Sequence, residues 1–226
     1  MDRSPQKLRD AEVWVFDLDN TLYHSSIDLF SQVALRINRF VQRRLGIDTE
    51  AATRVQREYF ATYGSTLRGL MVRDGVDPHG FLEYVHDIDY GPLTRDRRLA
   101  GALARLRGRK FVFTNGSATH AAAVLRHLGL TDVFDAVFDI EAAGFVPKPR
   151  PEPYERLVER HAIEPTTAVM VEDLARNLEP AAAMGMTTLW VESRFQWAQP
   201  ARDADYIDHT AEDLVAWLEA VLDAGV

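Results

Sequence analysis

Residues 13–21 read Val-Trp-Val-Phe-Asp-Leu-Asp-Asn-Thr, an apolar run that stops abruptly at two aspartates. A short apolar run bounded by polar residues is typical of a strand that a parallel sheet buries on both faces. Asp17 and Asp19 lie two positions apart, so in extended chain their side chains face the same way. Since like charges that close cannot both stay ionised cheaply, we expect a split into an ionised nucleophile or metal ligand and a protonatable acid.

Further apolar runs follow the same pattern along the chain, over residues 110–113, 136–138, 168–171, 187–191 and, more weakly, 204–207. Helical periodicity separates these runs, over about 95–107, 117–129, 151–162, 174–184 and 210–222. Strands that alternate with helices predict an α/β fold built on a doubly wound parallel sheet with right-handed crossovers.

The connection after the first strand is much longer than the others and contains no convincing strand. Apolar residues at helical spacing occur over 31–45, 50–63, 67–72 and 78–86. A connection of this length without structure of its own is uncommon, so we expect an all-α cap inserted over residues 23–92. The remaining residues, 1–22 and 93–226, would form a Rossmann-like catalytic core whose ligand binds at the carboxyl ends of the strands, below the cap.

The composition excludes several classes of protein. The 226 residues carry 26 Lys and Arg against 34 Asp and Glu, a net charge of −8, and 46% of them are hydrophobic. An acidic chain without a basic block is a poor partner for nucleic-acid polymers or membrane surfaces. Without cysteine there is no disulfide framework or thiol nucleophile. Because no apolar window matches a signal peptide or a membrane span, we expect a cytoplasmic protein that acts on a small molecule.

The sequence Thr114-Asn115-Gly116-Ser117 follows the strand expected over 110–113 and opens a helix. A hydroxyl, exposed backbone amides and a helix amino terminus combine there into a cradle for an anion. Capping of the helix by Ser117 would account for the same residues, and the two interpretations are compatible.

Two more clusters of polar residues follow later strands. Lys148 lies between Pro147 and Pro149, which restrict its backbone and favour a positive charge held in a fixed place. Glu172 and Asp173 come directly after the strand expected over 168–171. Acids in that position serve either the dipole of the following helix or a Mg²⁺ ion, which prefers hard oxygen ligands.

All four motifs are expected at or beside the carboxyl ends of strands in one sheet, where they can converge on a single point. Over roughly residues 11–195 they resemble, in order, the four motifs of the haloacid dehalogenase superfamily of phosphohydrolases, which here read Asp17-Leu-Asp19-Asn-Thr21, Thr114-Asn115-Gly116, Lys148 and Glu172-Asp173. The resemblance implies a phosphoryl transfer through a covalent aspartyl-phosphate.

The resemblance also implies roles for the motif residues. By this resemblance Asp17 would be the nucleophile, and Asp19 would be the general acid and base. Thr114 and Lys148 hold the transferring phosphoryl group, with Asn115 beside them in the substrate site. An acid at position 19 favours a phosphatase over a dehalogenase, because an alkoxide leaving group needs a proton and a halide does not.

By the same resemblance the cofactor is Mg²⁺. Its ligands would be Asp17, the backbone carbonyl of Asp19 and Asp173, with Glu172 near or in the coordination shell. Together with Lys148, the ion would offset the repulsion between an anionic nucleophile and an anionic substrate.

A narrower resemblance, to the pyrimidine 5′-nucleotidase family, rests on residues 63–70, 84–89, 142–154 and 172–178. That family implies hydrolysis of pyrimidine nucleoside 5′-monophosphates such as UMP and CMP. Tyr63 or Tyr23 would stack on the base, and Arg68 or Thr66 would bond its edge. The alternative is that Tyr63 packs inside the cap and Arg68 is solvated.

Two other functions are compatible with the same motifs. A phosphomutase, or a phosphatase of another monoester such as phosphoglycolate or a sugar phosphate, would use the same site. A non-enzymatic phospho-aspartate switch would share the acids, the threonine and the lysine, but the cap and the acid at position 19 argue against a long-lived phospho-aspartate. We therefore expect a phosphoric monoester hydrolase, and we leave its oligomeric state open.

Overall fold

A computed structural model describes residues 5–194, 198–199 and 204–225, and within them six strands form one all-parallel sheet. The strands are β1 (Val13–Phe16), β2 (Arg109–Phe113), β3 (Ala136–Phe138), β4 (Ala168–Glu172), β5 (Thr187–Val191) and β6 (His209–Ala211). Their order is β3-β2-β1-β4-β5-β6. The α/β class and the parallel sheet are confirmed. Parts of the predicted core lie outside the described residues, namely 1–4, 195–197, 200–203 and 226.

The described residues also form ten α-helices. They are α1 (Pro5–Arg9), α2 (Leu29–Leu45), α3 (Thr49–Tyr63), α4 (Thr66–Asp74), α5 (Pro78–His86), α6 (Arg97–Arg105), α7 (Ala118–Leu128), α8 (Pro151–His161), α9 (Glu179–Ala183) and α10 (Leu214–Asp223). Short 3₁₀ turns occur at Ser25–Ile27, Pro165–Thr167 and Ala175–Asn177.

Helices cover both faces of the sheet. Successive residues of a strand point to opposite faces, so the apolar residues of a central strand pack against helices on both sides. Along β1, Trp14 and Phe16 belong to one apolar cluster and Val13 and Val15 to another, and all four are buried. Helices α6, α7 and α10 contribute to the first cluster, and α8 and α9 to the second. The sheet is therefore doubly wound.

Helices α2–α5 lie in the connection between β1 and β2 and enclose a third apolar cluster. Val41 and Leu70 are fully buried in it, and Ile140, from the segment after β3, joins them. The all-α insertion is thus confirmed, whereas the domain boundaries at 22/23 and 92/93 stay a prediction. Leu22 and Leu93, at the two ends of the insertion, both belong to the cluster on the first face of the sheet.

The sixth strand was expected at residues 204–207 but lies at His209–Ala211. Thr188 on β5 explains the shift, since its hydroxyl donates to the Tyr206 carbonyl (2.6 Å) and its amide to the Asp208 carboxylate (3.0 Å). These side-chain hydrogen bonds replace the ladder before His209, so strand pairing begins only there.

The prediction of a single helix over residues 174–184 is also wrong. The structure has a 3₁₀ turn at Ala175–Asn177, followed by the short helix α9. Pro180 lies in the first turn of α9, where its missing N–H is not needed, and this favours a fresh helix start rather than a continuous helix.

The order of the sheet reverses beside β1. The chain runs outward from β1 through β2 to β3 and then returns to place β4 on the other side of β1. Open α/β sheets bind ligands outside the carboxyl ends of the strands at such a switch point. Asp17 follows β1, and Glu172 and Asp173 lie at the end of β4, so both groups of acids meet at this crevice.

The glycines of α4 and α6 predict opposite effects of adding a methyl group. A Cβ at Gly69 would collide with the ring of Tyr59, whose hydroxyl is held by Asp74 (2.9 Å), whereas a Cβ at Gly101 meets nothing within 4 Å. Gly69→Ala should lower the free energy of unfolding by about 1–3 kcal/mol through overpacking. Gly101→Ala should raise it by about 0.5–1 kcal/mol, because alanine loses less backbone entropy in a helix. Urea denaturation measures both, and shifts of the same sign would contradict the described packing.

Candidate active site

A cavity of about 490 Å³ separates the carboxyl ends of the sheet from the cap helices. Its floor is polar and includes Asp17, Asp19, Thr114, Lys148, Glu172 and Asp173. Its walls are largely apolar and come from the cap, for example Val33 on α2, Phe60 on α3 and Phe81 on α5. The cavity suits a small molecule with a charged end and a larger, less polar body.

Asp17, Glu172 and Asp173 form a buried acidic triad where β1 and β4 end. One carboxylate oxygen of each lies within 4.8 Å of those of the other two. The backbone fixes this meeting, because the Asp17 amide donates to the Val171 carbonyl (2.8 Å) and so extends the pairing of β1 with β4. Thr21 also donates to Asp17 Oδ2 (3.1 Å).

The ammonium of Lys148 lies among these acids and is only 1% exposed. Its Nζ donates to Asp17 Oδ1, Glu172 Oε2 and the Phe113 carbonyl, each at 2.7 Å. All three of its protons are therefore used. Contact between Lys148 and a phosphoryl group would require one of these hydrogen bonds to exchange.

Three carboxylates and one ammonium leave two negative charges uncompensated if all are ionised. Burial raises the pKa of Asp17, and the charge of Glu172 raises it further, while Lys148 acts in the opposite direction. Burial, and then the charges of Glu172 and Asp17, raise the pKa of Asp173 strongly. Burial alone would lower the pKa of Lys148, but Asp17 and Glu172 raise it above its ordinary value.

Unpaired oxygen atoms surround this excess charge. Asp173 Oδ2 is buried without a hydrogen-bond partner, and so are the side-chain oxygens of Asn20 and Asn177, which also line the cavity. Buried polar atoms are normally paired, so orphaned oxygens beside uncompensated carboxylates indicate that a positive group is missing from the balance. Hard oxygen donors of this kind are what Mg²⁺ prefers, and the residues present therefore fit a divalent cation.

Thr114 and Asn115 lie on the cavity floor, and their side chains form hydrogen bonds with backbone groups nearby. The Thr114 hydroxyl accepts from the Gly116 amide (2.9 Å). Asn115 Oδ1 accepts from the Lys148 amide (2.9 Å), and its Nδ2 donates to the Lys148 carbonyl (3.3 Å). Asn115 is thus a brace for the loop that carries Lys148, in addition to being a lining residue.

The expected anion cradle at the start of α7 is only partly open. Ser117 caps the helix by accepting from the His120 amide (3.3 Å), and the Ala118 amide donates to the Asp139 carboxylate (2.8 Å). The capping interpretation therefore describes this helix start, and an anion would find several of its amides already occupied.

Asp19 turns toward a histidine that sequence reasoning alone does not find. Its Oδ1 lies 2.8 Å from His120 Nε2 and accepts from the Tyr23 hydroxyl at 2.7 Å. Burial alone would raise the pKa of Asp19, but the charge and hydrogen bond of His120, with the hydrogen bond of Tyr23, hold it below its ordinary value. Tyr23 does not line the cavity, which argues against the expectation that it stacks on a base.

His120 belongs to a cluster that joins the cap to α7. Its ring stacks on that of His86, with centroids 4.4 Å apart and planes 15° from parallel. Its Nδ1 lies 2.9 Å from the Tyr90 hydroxyl. Burial, and then the charge of His120, lower the pKa of His86 to about 3, so this ring is neutral near pH 7. One signal was available in the sequence: His120 lies one helical turn into the helix that follows the Thr114 motif.

Of the cap residues expected to read a base, the structure brings only Thr66 to the cavity. Tyr63 packs edge-to-face against Tyr59, with ring centroids 5.8 Å apart, and neither Tyr63 nor Arg68 is a lining residue. On α4 both Thr66 and Leu67 line the cavity, whereas the next residue, Arg68, does not.

Gln56 and Arg57 of α3 line the cavity in their place. Phe60, which follows one helical turn later, lines it too, so this side of α3 forms part of the wall. In the sequence, the available signal for this wall was a pair of polar residues, Gln56 and Arg57, one helical turn before the aromatic Phe60. Arg57 and Lys148 supply the Arg and Lys side chains of the lining within the described residues.

Among the residues that the structure describes, no helix combines the length and the apolar character needed to cross a membrane.

Two curated proteins are similar to this chain along most of its length. The chain is 29% identical over 205 residues to Phosphate metabolism protein 8 of Saccharomyces cerevisiae, an alignment that covers 80% of this chain and 63% of the yeast protein. It is 27% identical over 218 residues to Glyceraldehyde 3-phosphate phosphatase of Methanocaldococcus jannaschii, covering 89% and 94% of the two chains. The chain thus spans less than two thirds of its yeast relative.

The fold is similar to that of a solved HAD (haloacid dehalogenase) phosphatase from Thermococcus onnurineus, with a TM-score of 0.61 and 21% identity, covering 93% of this chain and 97% of the other. Residues 12–185 match the family model described as haloacid dehalogenase-like hydrolase. This range covers more than half of the chain and contains all four motifs whose side chains meet at the cavity floor. The chain belongs to the haloacid dehalogenase-like hydrolase family.

Proposed function

We propose that this protein is a Mg²⁺-dependent phosphatase of small phosphate monoesters that works through an aspartyl-phosphate on Asp17. The observation that carries the proposal is the buried triad of Asp17, Glu172 and Asp173 around Lys148 at the floor of a cavity. The family match and the similarity to an archaeal phosphatase support it.

The reaction would proceed in two displacements. A carboxylate oxygen of Asp17 attacks phosphorus, the bond from phosphorus to the ester oxygen breaks, and Asp19 gives a proton to the departing alkoxide. Water then attacks the phosphorus of the aspartyl-phosphate and gives a proton to Asp19, and inorganic phosphate leaves as the Asp17 carboxylate is restored. Phosphoryl transfer needs mainly positioning and charge neutralisation, which this floor provides.

The charge balance explains why a metal is part of the proposal. When bound, Mg²⁺ supplies two positive charges that neutralise the triad and polarise the phosphoryl group. Asp17 and Asp173 would hold it, with the backbone carbonyl of Asp19 and with Glu172 beside them. Without a cation, ionisation of all three acids would leave excess negative charge on the floor, which would repel a phosphate dianion.

Among monoesters we favour nucleoside 5′-monophosphates, and pyrimidine nucleotides first. A cavity of about 490 Å³ has the size of a site for a molecule larger than a three-carbon phosphate. Phe60 and Phe81 offer apolar contact area for a base, and Gln56, Arg57 and Thr66 offer polar groups for its edge. The resemblance of the cap segments to the pyrimidine 5′-nucleotidase family is what favours UMP and CMP over purine nucleotides.

A second candidate is a phosphatase of a smaller ester, such as glyceraldehyde 3-phosphate, phosphoglycolate or a sugar phosphate. The 27% identity to the Methanocaldococcus jannaschii phosphatase favours it. A phosphomutase remains a variant of this candidate, and it would convert a sugar phosphate to its isomer without net release of phosphate.

Asp17→Asn should reduce phosphate release from UMP by at least about 10³-fold, because the amide cannot form the covalent intermediate. Asp205→Asn is the matched control: Asp205 also belongs to an Asp-x-Asp pair, but it is exposed and lies outside the cavity lining. We expect the control to keep wild-type activity. Release by Asp17→Asn within tenfold of wild type would contradict the covalent mechanism.

Mg²⁺ should raise the melting temperature, and Asp173→Asn should remove most of that gain. In the metal-free protein the raised pKa values of Asp17 and Asp173 mean that folding favours their protonated forms. The contribution of Asp17 to stability is thus fully present below about pH 4 and lost as the pH rises through about 7, whereas that of Asp173 is lost only as the pH approaches about 10. The gain from Mg²⁺ should therefore be larger at pH 8 than at pH 6.

Thermal unfolding with Mg²⁺ and with EDTA, at both pH values, measures these effects. In EDTA the Asp173→Asn variant should melt at or above the wild-type temperature, since it removes a buried acid whose Oδ2 has no hydrogen-bond partner and whose ionisation opposes folding. A full Mg²⁺ gain in Asp173→Asn would contradict the assignment of the triad as the metal site.

Arg57→Ala should raise the KM for UMP about tenfold, the equivalent of about 1.4 kcal/mol, without changing the KM for phosphoglycolate. Arg54→Ala is the matched control, because Arg54 is an exposed arginine on the same helix outside the cavity lining. Phosphate release is measured over pyrimidine and purine monophosphates, phosphoglycolate, glyceraldehyde 3-phosphate and sugar phosphates. Equal rates across this panel would overturn the nucleotide assignment and leave the phosphatase proposal in place.

A further inference from the structure

His120 is a buried polar residue that the reaction described above does not use. It is 1% exposed, and its Nε2 lies 2.8 Å from Asp19 Oδ1 and 3.1 Å from Asp19 Oδ2. Oδ1 also accepts the short hydrogen bond from Tyr23 (2.7 Å). Two short contacts thus engage Oδ1, and among the described residues Oδ2 has only the longer one, so Oδ2 is the oxygen better placed to exchange a proton with a substrate.

The hydrogen bonds of Tyr90 determine which nitrogen of His120 faces Asp19 and in what form. The Tyr90 hydroxyl has a single proton and donates it to the His86 carbonyl (2.9 Å). Its 2.9 Å contact with His120 Nδ1 must then be a bond that Nδ1 donates. With Nδ1 protonated, Nε2 and Asp19 share one further proton. Either Nε2 carries it and donates to the Asp19 carboxylate, or the Asp19 carboxyl carries it and donates to Nε2.

The ring of His120 is also held face-on. It stacks on His86 at 4.4 Å, and His86 in turn bonds Ser117 Oγ through Nδ1 (2.9 Å). Gly116 leaves room for the pair, because a Cβ there would lie 3.1 Å from the His120 ring and 3.7 Å from that of His86. His86 ends α5 and Tyr90 follows it, so both supports of His120 come from the insertion between β1 and β2.

We propose that His120 is a positioning residue that holds the Asp19 carboxyl in the orientation for proton transfer to the leaving oxygen, and that the insertion sets this orientation through Tyr90 and His86. The inference rests on the proposed phosphatase function. It gives the insertion a part in the proton transfer as well as in enclosing the substrate.

The choice of leaving group separates this role from a merely structural one. An alkoxide, as released from UMP, needs a proton in the transition state, whereas p-nitrophenolate leaves without one. Loss of an oriented acid should therefore slow alkyl esters and spare p-nitrophenyl phosphate. General damage to the site would slow both substrates alike.

The test compares kcat and KM of His120→Phe, Tyr90→Phe and Asp19→Asn, with p-nitrophenyl phosphate and with the alkyl monoester that the wild type hydrolyses fastest. For His120→Phe we expect kcat on the alkyl ester to fall about 10²-fold, within the range of general acid catalysis, with KM changed less than twofold. On p-nitrophenyl phosphate kcat should fall less than threefold, and Tyr90→Phe should show a smaller loss of the same selectivity. His127→Gln is the control, since His127 lies on the same helix and against Tyr90 without contacting Asp19.

The double variant Asp19→Asn/His120→Phe should be no slower on the alkyl ester than Asp19→Asn, because both changes remove one function. Nitrogen-15 NMR of the wild type should show a proton on His120 Nδ1. Equal losses on both substrates, additive losses in the double variant, or a bare Nδ1 would overturn the proposal. A wild type that releases phosphate from no monoester would instead overturn the proposed function, and the two failures are distinguishable.

Discussion

The buried ammonium of Lys148 is the contact on which the site depends, because it joins three strands where the order of the sheet reverses. It donates to the acid after β1, to the last carbonyl of β2 and to the acid that ends β4. Removal of one partner from such a buried pair costs about 3–5 kcal/mol, since a charge is left unpaired. One lysine cannot neutralise three ionised carboxylates, and the proposed cation would supply the remaining positive charge.

The strands and the acidic motifs were predictable because their signals are local. An apolar run buries a strand, and the next residues must then lie at the edge of the sheet, as Asp17 and Glu172 do. The position of His120 in the sequence did not by itself predict its contact with Asp19, and its stacking on His86 forms only when α5 packs near the start of α7. Which arginine lines the cavity, Arg57 rather than Arg68, likewise depends on the helix faces that neighbouring helices leave uncovered.

Some of the contacts between the cap and the rest of the molecule are of a weak kind. The guanidinium of Arg176 lies 4.0 Å from the ring centre of Phe60, and His79 lies 3.7 Å from Glu141 in an exposed pair. A partly buried cation–π contact contributes about 1–2 kcal/mol, and an exposed ion pair about 1 kcal/mol or less. Such contacts can break and re-form at low cost, as a cavity enclosed between a sheet and a cap requires for substrate entry and product release.

The two ends of the insertion are anchored in the same part of the core, because Leu22 and Leu93 belong to one apolar cluster. A segment tied at both ends to one core can be exchanged as a unit with little disturbance of the sheet. In this chain, however, the exchanged unit would carry away Tyr90 and His86 along with the walls of the cavity. Under the proposed mechanism, a new cap would leave the nucleophile in place but would have to supply its own support for the acid, so substrate range and leaving-group range would change together.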